Sequence, residues 1–403
     1  MASLLVRNAR IHGAGPVDVE VREGRIAAVS GSAAAVPADP ATPVIDAGGG
    51  LLLPTLVDGH CHPDKTTWGT PWVSRTSAET LEDLILSDVA LQVSQETSVR
   101  ERSRDLFAAY VAAGARGVRA HVDVAPVYGL DNIRGVADAA ADLDGALHAE
   151  IVAFPQLGVM RTPGTAALLR DALDAGATIV GGIDPGGIDG DLHGQLDVVF
   201  GLATERDVDV DIHLHDGGEH GVEQVREIIR RTRAAGWERR VTIGHAFCYS
   251  DCDDALLAEL GEATAAAGIT LATCALGDAP VMPVQRLREL GVRVVLGSDG
   301  VRDAWSPFGN GDMLDRTHLL AWSTGARTDA DLEACLDVAA HAGAELVGLE
   351  SADLRVGSPA DFMIVAAEVP AQAVIDRPTP QYVVRAGRVV ARDGALTAIP
   401  ATL

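Results

Sequence analysis

The feature of this sequence that most constrains its fold is an alternation of eight short apolar, β-branched runs with helical patterns. The runs are LPTLVDGHCH, GVRAHVDV, HAEIVAFPQ, ATIVGGIDP, VDVDIHLHD, RVTIGHAF, ITLATCAL and VRVVLGSD. The helical patterns between them include ADLDGALHA, GTAALLRDALDAG, EQVREIIRRTRAAG and PVQRLRELG. Buried strands that alternate with helices indicate a parallel α/β fold. Eight such units favour a (β/α)8 barrel of the TIM type over an open, doubly wound sheet.

The two ends of the chain show a different pattern. Residues 1–53 and 352–403 contain short strands of alternating apolar and polar residues, separated by turn signals. We therefore expect a small β-sandwich domain formed by both termini, 1–53 plus 352–403, beside a barrel domain at 54–351. No predicted strand leads into a Gly-x-Gly-x-x-Gly helix start, which weakens a dinucleotide-binding alternative.

Charge and composition limit the partners. The chain has 57 acidic and 32 basic residues, a formal net charge of −25 spread along its length. Nucleic acid and anionic membrane surfaces both need a basic face, so we expect neither as a partner. The sequence lacks both a signal-peptide pattern and an apolar run of about 18 residues, and we expect a cytoplasmic protein. The five cysteines form no pair of Cys-x-x-Cys motifs, which argues against a disulfide framework and a structural zinc knuckle.

Histidines and carboxylates concentrate where the predicted strands end, and the carboxyl ends of barrel strands are where active residues gather. The histidines are His60, His62, His121, His213, His215 and His245. His60 and His62 are two positions apart and point to the same side of a strand. With His213 and Asp299 they can hold one divalent ion and leave a water position open. Zinc suits such nitrogen and oxygen ligands best, and iron is the second choice.

Lys65 is the only lysine among the 32 basic residues. Two interpretations stand side by side. The lysine is a chance survivor of a bias toward arginine, or the position needs an ammonium because a guanidinium is wider and cannot share a proton near neutral pH. His121 and Asp123 also have two interpretations, as site residues or as a hydrogen-bonded pair that supports the barrel.

Together, the motifs resemble the cytosine deaminase-like branch of the amidohydrolase superfamily, and most of all its triazine-type members. They are PTLVDGHCHPDK, RAHVDV, VAFPQ, VGGIDP, HLHDGGEHG, GHAFCYSD and LGSDGVRDAWSPFGNGDM. The resemblance spans nearly the whole chain, including both β-rich ends. It implies that His60, His62, His213 and Asp299 bind the metal.

The resemblance also implies catalytic roles. His245 matches a histidine that stabilises the attacked group or the hydroxide, and Lys65 and His215 match residues of the triazine-type members. Asp216 stands where cytosine deaminases carry a proton-shuttling glutamate, and aspartate is one methylene shorter. Asp299 is expected to take a proton from water and pass it to the leaving nitrogen.

Substrate contacts are expected from residues at two other strand ends and in the loop after strand eight. Gln156 matches a glutamine that reads the substrate ring in cytosine deaminases. Asp184 is either a substrate contact or a turn cap before Pro185, and Trp305 either walls a ring pocket or packs a loop. Gly300 replaces a second carboxylate that follows the metal aspartate in cytosine deaminases, which argues against cytosine itself.

We therefore predict a hydrolase that removes ammonia or an alkylamine from an amino-s-triazine or aminopyrimidine, by attack of metal-bound hydroxide on the amino-bearing ring carbon. The alternatives are hydrolysis of another C–N bond, such as a cyclic amide, or deamination of cytosine or isocytosine. A non-catalytic scaffold would predict a broken ligand set, and this set is intact. Predicted strand four lacks a lysine that could bridge two metals, which favours one ion. The partner is a small heterocyclic substrate, and we expect a homo-oligomer.

Overall fold

The computed structural model describes residues 3–13, 15–31, 42–75, 79–143, 145–277 and 279–397. The strands in these ranges are β1 (Leu4–Arg10), β2 (Pro16–Arg22), β3 (Arg25–Gly31), β4 (Val44–Asp46), β5 (Leu51–Pro54), β6 (Leu56–Cys61), β7 (Ala115–Asp123), β8 (His148–Phe154), β9 (Ile179–Ile183), β10 (Asp209–Leu214), β11 (Val241–His245), β12 (Thr270–Thr273), β13 (Arg293–Leu296), β14 (Phe362–Val365), β15 (Tyr382–Arg385), β16 (Arg388–Arg392) and β17 (Ala395–Leu396). The α-helices are α1 (Leu81–Ser94), α2 (Val99–Ala112), α3 (Asp131–Ala141), α4 (Thr165–Ala175), α5 (Leu192–Arg206), α6 (Gly218–Ala235), α7 (Asp254–Ala266), α8 (Val284–Glu289), α9 (Met313–Ser323), α10 (Asp329–Leu346) and α11 (Pro370–Asp376). None of these helices combines the length and the apolar character needed to cross a bilayer.

Strands β6 to β13 form a parallel barrel. They lie in chain order in one eight-stranded sheet, and a parallel bridge between Cys61 and Asp299 joins its first and last strands. Each strand lies in one of the eight apolar runs, which confirms the predicted (β/α)8 barrel. The runs are recognisable because both faces are covered: every residue of β7, for example, is buried.

One predicted helix is wrong. The pattern of ADLDGALHA, residues 141–149, predicts a helix, but α3 ends at Ala141 and β8 begins at His148. Gly145 between them has a φ of 75°. This left-handed conformation suits glycine and turns the chain toward the next strand. The apolar residues Leu143, Ala146 and Leu147 are buried, so their spacing reflects a packed connection and not a helix.

Strands from both termini form one further sheet, as predicted. Its order is β17-β16-β15-β14-β5-β1-β2-β3, with β4 paired to β1. The two ends of the chain meet where β14 runs antiparallel to β5, with Phe362 opposite Pro54. Leu4, Val19 and Phe362 belong to its own apolar cluster, separate from the barrel core. The domain boundaries at 53/54 and 351/352 stay a prediction.

Candidate active site

Four predicted ligands meet at the carboxyl end of the barrel. His60 and His62 come from the end of β6, His213 from β10, and Asp299 follows β13. Nε2 of His62 lies 3.2 Å from Oδ1 of Asp299 and 3.2 Å from Nε2 of His213. Nε2 of His60 lies 3.7 Å from the same carboxylate oxygen. One donor atom from each residue lies within 4.8 Å of the other three.

The chemistry of these four side chains fits a divalent ion. Burial and neighbouring imidazoles hold the pKa of His60 and His213 well below the usual range. Burial and the charge of Lys65 lower the pKa of His62 to about 3. Both ring nitrogens of His60 are buried, with no hydrogen-bond partner among the described residues. Neutral imidazoles with free lone pairs beside one carboxylate are a zinc-type donor set.

Asp299 remains ionised in this cluster. Burial alone would raise its pKa, but the hydrogen bond with His62 and the interactions with the neighbouring His245 and His60 hold the pKa well below its ordinary value. Its backbone has a φ of 61°, and Asp184 and His245 also have positive φ values. Such conformations cost about 1–3 kcal/mol each and cluster at functional sites. At three strand ends, therefore, a predicted site residue has a strained backbone conformation.

His245 and His215 form a stacked pair beside the ligands. Their ring centroids are 4.4 Å apart. Both ring nitrogens of His245 are buried and lack a hydrogen-bond partner in the described structure. Nδ1 of His215, in contrast, lies 2.6 Å from Oδ2 of Asp184. Burial would lower the pKa of His215, but Asp184 raises it above the ordinary value.

The carboxylate of Asp184 forms its hydrogen bonds with the segment that follows β10. Its Oδ1 accepts the backbone N–H groups of His215 at 2.5 Å and of Asp216 at 3.3 Å. The carboxylate of Asp216 accepts a hydrogen bond from Nε2 of Gln224 at 2.7 Å, and Nε2 of His220 lies 3.7 Å away. The contacts of Asp216 therefore run toward α6. The proton-shuttle role of Asp216 stays a prediction.

Lys65 is enclosed in a polar network. It is 3% exposed, its Nζ lies 3.2 Å from Asp123 and 3.7 Å from Asp88, and it donates to Oε1 of Gln156. Burial would lower its pKa, but Asp123, Asp88 and Asp64 raise it above the ordinary value. The direction of this shift favours the charged form of Lys65 at neutral pH. The reason for a lysine at this position stays a prediction.

Gln156 and Trp305 flank Lys65. Gln156 is 4% exposed, and its amide nitrogen donates to Oδ2 of Asp88 at 3.0 Å. Its amide oxygen binds Lys65, so both ends of the side chain have partners. The indole of Trp305 lies over Nζ of Lys65, 5.9 Å from the centroid, and its Nε1 has no partner within the described residues. Of these two predicted substrate contacts, Trp305 keeps its polar atom free.

Sequence reasoning missed two buried carboxylates behind the ligands. Oδ1 of Asp211 lies 3.1 Å from Nε2 of His121, and Oδ1 of Asp58 accepts the N–H groups of His60 and Ser298. The interpretation of His121 and Asp123 as a hydrogen-bonded pair is therefore wrong. His121 contacts Asp211, and Asp123 contacts Lys65. Both missed carboxylates stand two residues before a ligand on the same strand, a spacing that could have indicated them.

A family model described as "Amidohydrolase family" matches residues 73–391. The chain belongs to this amidohydrolase family. The match confirms the resemblance found in the motifs and agrees with the barrel that carries them.

Individual relatives match nearly the whole length of this amidohydrolase. An N-isopropylammelide isopropyl amidohydrolase of Pseudomonas sp. (strain ADP) is 32% identical over 360 residues, 88% of this chain and 89% of the relative. The structure of N-isopropylammelide isopropylaminohydrolase from Burkholderia multivorans ATCC 17616 has a TM-score of 0.94 and 38% identity, covering 98% of this chain and 100% of that one. The 5-methylcytosine deaminase from Klebsiella pneumoniae, with 5-fluorocytosine bound, has a TM-score of 0.83 and 25% identity, covering 99% and 100%.

Proposed function

We propose that this amidohydrolase is a metal-dependent hydrolase that removes ammonia or an alkylamine from an amino-s-triazine or aminopyrimidine ring. The observation that carries the proposal is the intact donor set, with atoms of His60, His62, His213 and Asp299 within 4.8 Å of one another. The relatives support the reaction class, since they are named as an isopropylaminohydrolase and a methylcytosine deaminase.

One divalent ion, zinc first and iron second, would be held by these four residues. When bound, such an ion lowers the pKa of water to about 7 and so supplies a nucleophile at neutral pH. The ionised carboxylate of Asp299 accepts a proton and returns it to the leaving nitrogen. His245, with two free ring nitrogens, can bind the developing charge on the attacked ring.

His215 and Lys65 complete the charge distribution. The bond from Asp184 occupies Nδ1 of His215 and leaves Nε2 for the substrate. Lys65 provides a positive charge that neutral pH does not remove, 5.3 Å from the ring centroid of Phe154. Phe154 in turn stacks on His213 with centroids 4.0 Å apart. Flat side chains around the cluster suit a planar ring.

The test is a panel of aminopyrimidines, amino-s-triazines and their N-alkylated derivatives, run on protein with measured metal content. We expect release of ammonia or amine from at least one compound by the metal-loaded protein, and none by the metal-free protein. Release from cytosine or isocytosine alone would favour the deaminase alternative, which the Klebsiella pneumoniae structure supports. No release from any compound by the metal-loaded protein would overturn the proposal in favour of another C–N bond, such as a cyclic amide. A cytoplasmic location and a homo-oligomeric state stay predictions.

A further inference from the structure

Gly300, directly after the ligand Asp299, leaves a space that another side chain fills. A Cβ atom built on Gly300 would overlap Oδ2 of Asp303, far inside van der Waals contact. The constraint is one of volume, because Gly300 is not among the residues with positive φ. Any larger residue at position 300 would therefore displace the carboxylate of Asp303.

The carboxylate of Asp303 is held on one side only. Oδ1 accepts the backbone N–H groups of Trp305 at 2.9 Å and of Ser306 at 2.8 Å. Oδ2 is buried and has no hydrogen-bond partner in the part of the chain that the structure describes, although the residue is only 1% exposed. Leaving a buried acceptor unpaired costs free energy, more so when it is charged, so such an atom calls for a partner.

Asp303 lies among groups of the active site. Burial and the charges of Asp88 and Asp299 raise its pKa to about 7, while Lys65 acts in the opposite direction. The same turn holds Trp305, whose indole lies over Lys65 and whose Nε1 is also unpaired within the described ranges. One short loop thus presents a free acceptor and a free donor next to the metal ligands.

We propose that Asp303 positions the substrate, with Oδ2 accepting a hydrogen bond from a ring N–H, and that Gly300 makes room for this contact. Nε1 of Trp305 donates to the neighbouring ring carbonyl. An acceptor and a donor from the same loop can complement a lactam edge, so the site is expected to select oxo-substituted rings over fully aromatic ones. A site built to bind an N–H strongly disfavours the analogue that lacks it. The proposal rests on the proposed function for the ring class.

The contact can be tested apart from catalysis by measuring the binding of rings that have no amine to release. The probes are uracil and cyanuric acid, each compared with its fully ring-N-methylated form by calorimetry on metal-loaded protein. The first variant, Asp303→Asn, removes the carboxylate. The second, Gly300→Ala, keeps the carboxylate of Asp303 but places a methyl group in the space that this carboxylate fills. Asp312→Asn is the matched control, because Asp312 caps α9 in the same region, and both N–H groups it accepts are in the backbone. Metal content and melting temperature are measured for every variant.

The wild type is expected to bind at least one lactam and to discriminate against its methylated form. Measured at about pH 8, above the pKa of Asp303, Asp303→Asn and Gly300→Ala should each weaken lactam binding about 10- to 100-fold, the effect of a hydrogen bond to a charged group. They should also remove the discrimination, and the double variant should be no weaker than either single one. Asp312→Asn should bind like the wild type.

Unchanged binding and discrimination in both variants would overturn the proposal. It would mean that water satisfies Oδ2, or that Arg75 does, whose Nε donates to the backbone oxygen of Asp303. A wild type that binds no lactam, or that binds lactams and their methylated forms equally, would overturn it as well. A failure of the proposed function is visible separately, since it appears as absent amine release and does not affect binding of the amine-free rings.

Discussion

At the scale of single residues, Asp299 combines more duties than any other side chain of the site. It contacts His60 and His62, its low pKa keeps it ionised, and its backbone N–H donates to the carbonyl oxygen of His60 at 2.8 Å. The same residue therefore joins the last barrel strand to the first and, in the proposed mechanism, completes the ligand set and accepts the proton.

Replacing Asp299 with alanine should remove metal binding and catalysis together. We expect metal content to fall below one ion per ten chains, and turnover to fall by at least about 100-fold, since a positioned general base alone contributes that much. Metal analysis and amine release measure the two effects. Asp254→Ala, at an exposed position on α7, serves as the control. Near-normal turnover in Asp299→Ala would remove this residue from the mechanism.

Lys65 allows a test of whether the chain's only lysine survives by chance. Lys65→Arg should lower activity at least about tenfold and destabilise the protein by about 1–3 kcal/mol, because the buried ammonium is in close contact with Asp88, Asp123 and Gln156 and a wider head group would displace them. Denaturant unfolding and amine release measure both effects. A stable, active Lys65→Arg protein would show that the position needs only a positive charge.

Sequence reasoning found residues whose role follows from local spacing. His60 and His62 share one strand face, and His213 and Asp299 end strands of the same barrel, so their meeting could be predicted. The contact of Asp88 with Lys65 could not, since Asp88 lies in a helix and its approach depends on tertiary packing. The environment of Asp303 was hidden for the same reason, because it depends on a volume that Gly300 leaves empty.

At the scale of elements, burial explains which segments were predictable. The eight barrel strands lie in mainly apolar runs and are mostly buried, as the fully buried β7 shows. Leu143, Ala146 and Leu147 are also buried, but they belong to the connection between α3 and β8. The junction between the terminal sheet and the barrel left no sequence signal. Arg116 on β7 donates to Asp361, just before β14, at 2.9 Å, and Arg385 and the N–H of Ala386 bind the same carboxylate.

Replacing Asp361 with asparagine should weaken this junction. Removal of one partner from a buried ion pair leaves Arg116 uncompensated and should cost about 3 kcal/mol of unfolding free energy. Glu350→Gln is the control, since Glu350 forms an exposed pair with Arg25 and should change little. Denaturant unfolding measures the free energy of unfolding of both variants. Equal stability of the two would contradict a role for Asp361 in joining the terminal sheet to the barrel.

The same junction should depend on pH. Burial would raise the pKa of Asp361, but Arg385, Ala386 and Arg116 lower it below the ordinary value of 3.8. An acid whose pKa is lowered in the folded state stabilises the fold above its unfolded pKa and loses that contribution as the pH falls further. The difference in stability between wild type and Asp361→Asn should therefore be constant above about pH 5 and shrink below about pH 4. A difference that stays constant down to pH 3 would contradict this assignment.

At the scale of the whole molecule, the ligand set connects strands that are distant in the chain. His60 and His62 belong to the first barrel strand, His213 to the fifth, and Asp299 to the loop after the eighth. An ion held by all four would connect opposite parts of the barrel wall. Since the unfolded chain cannot form this set, the ion binds the folded state preferentially and stabilises it.

Removal of the ion should therefore destabilise the entire barrel as well as stop catalysis. At a free-ion concentration 100 times the dissociation constant, binding contributes about 2.7 kcal/mol, so a chelator should lower the melting temperature by a few degrees. Returning zinc or iron should restore the temperature, and the metal that also restores amine release is the functional one. Asp299→Ala should melt at the same temperature with and without chelator, because its site is already broken. If chelation shifted the melting of Asp299→Ala as much as that of the wild type, the stabilising ion would lie elsewhere and the four-residue centre would be the wrong site.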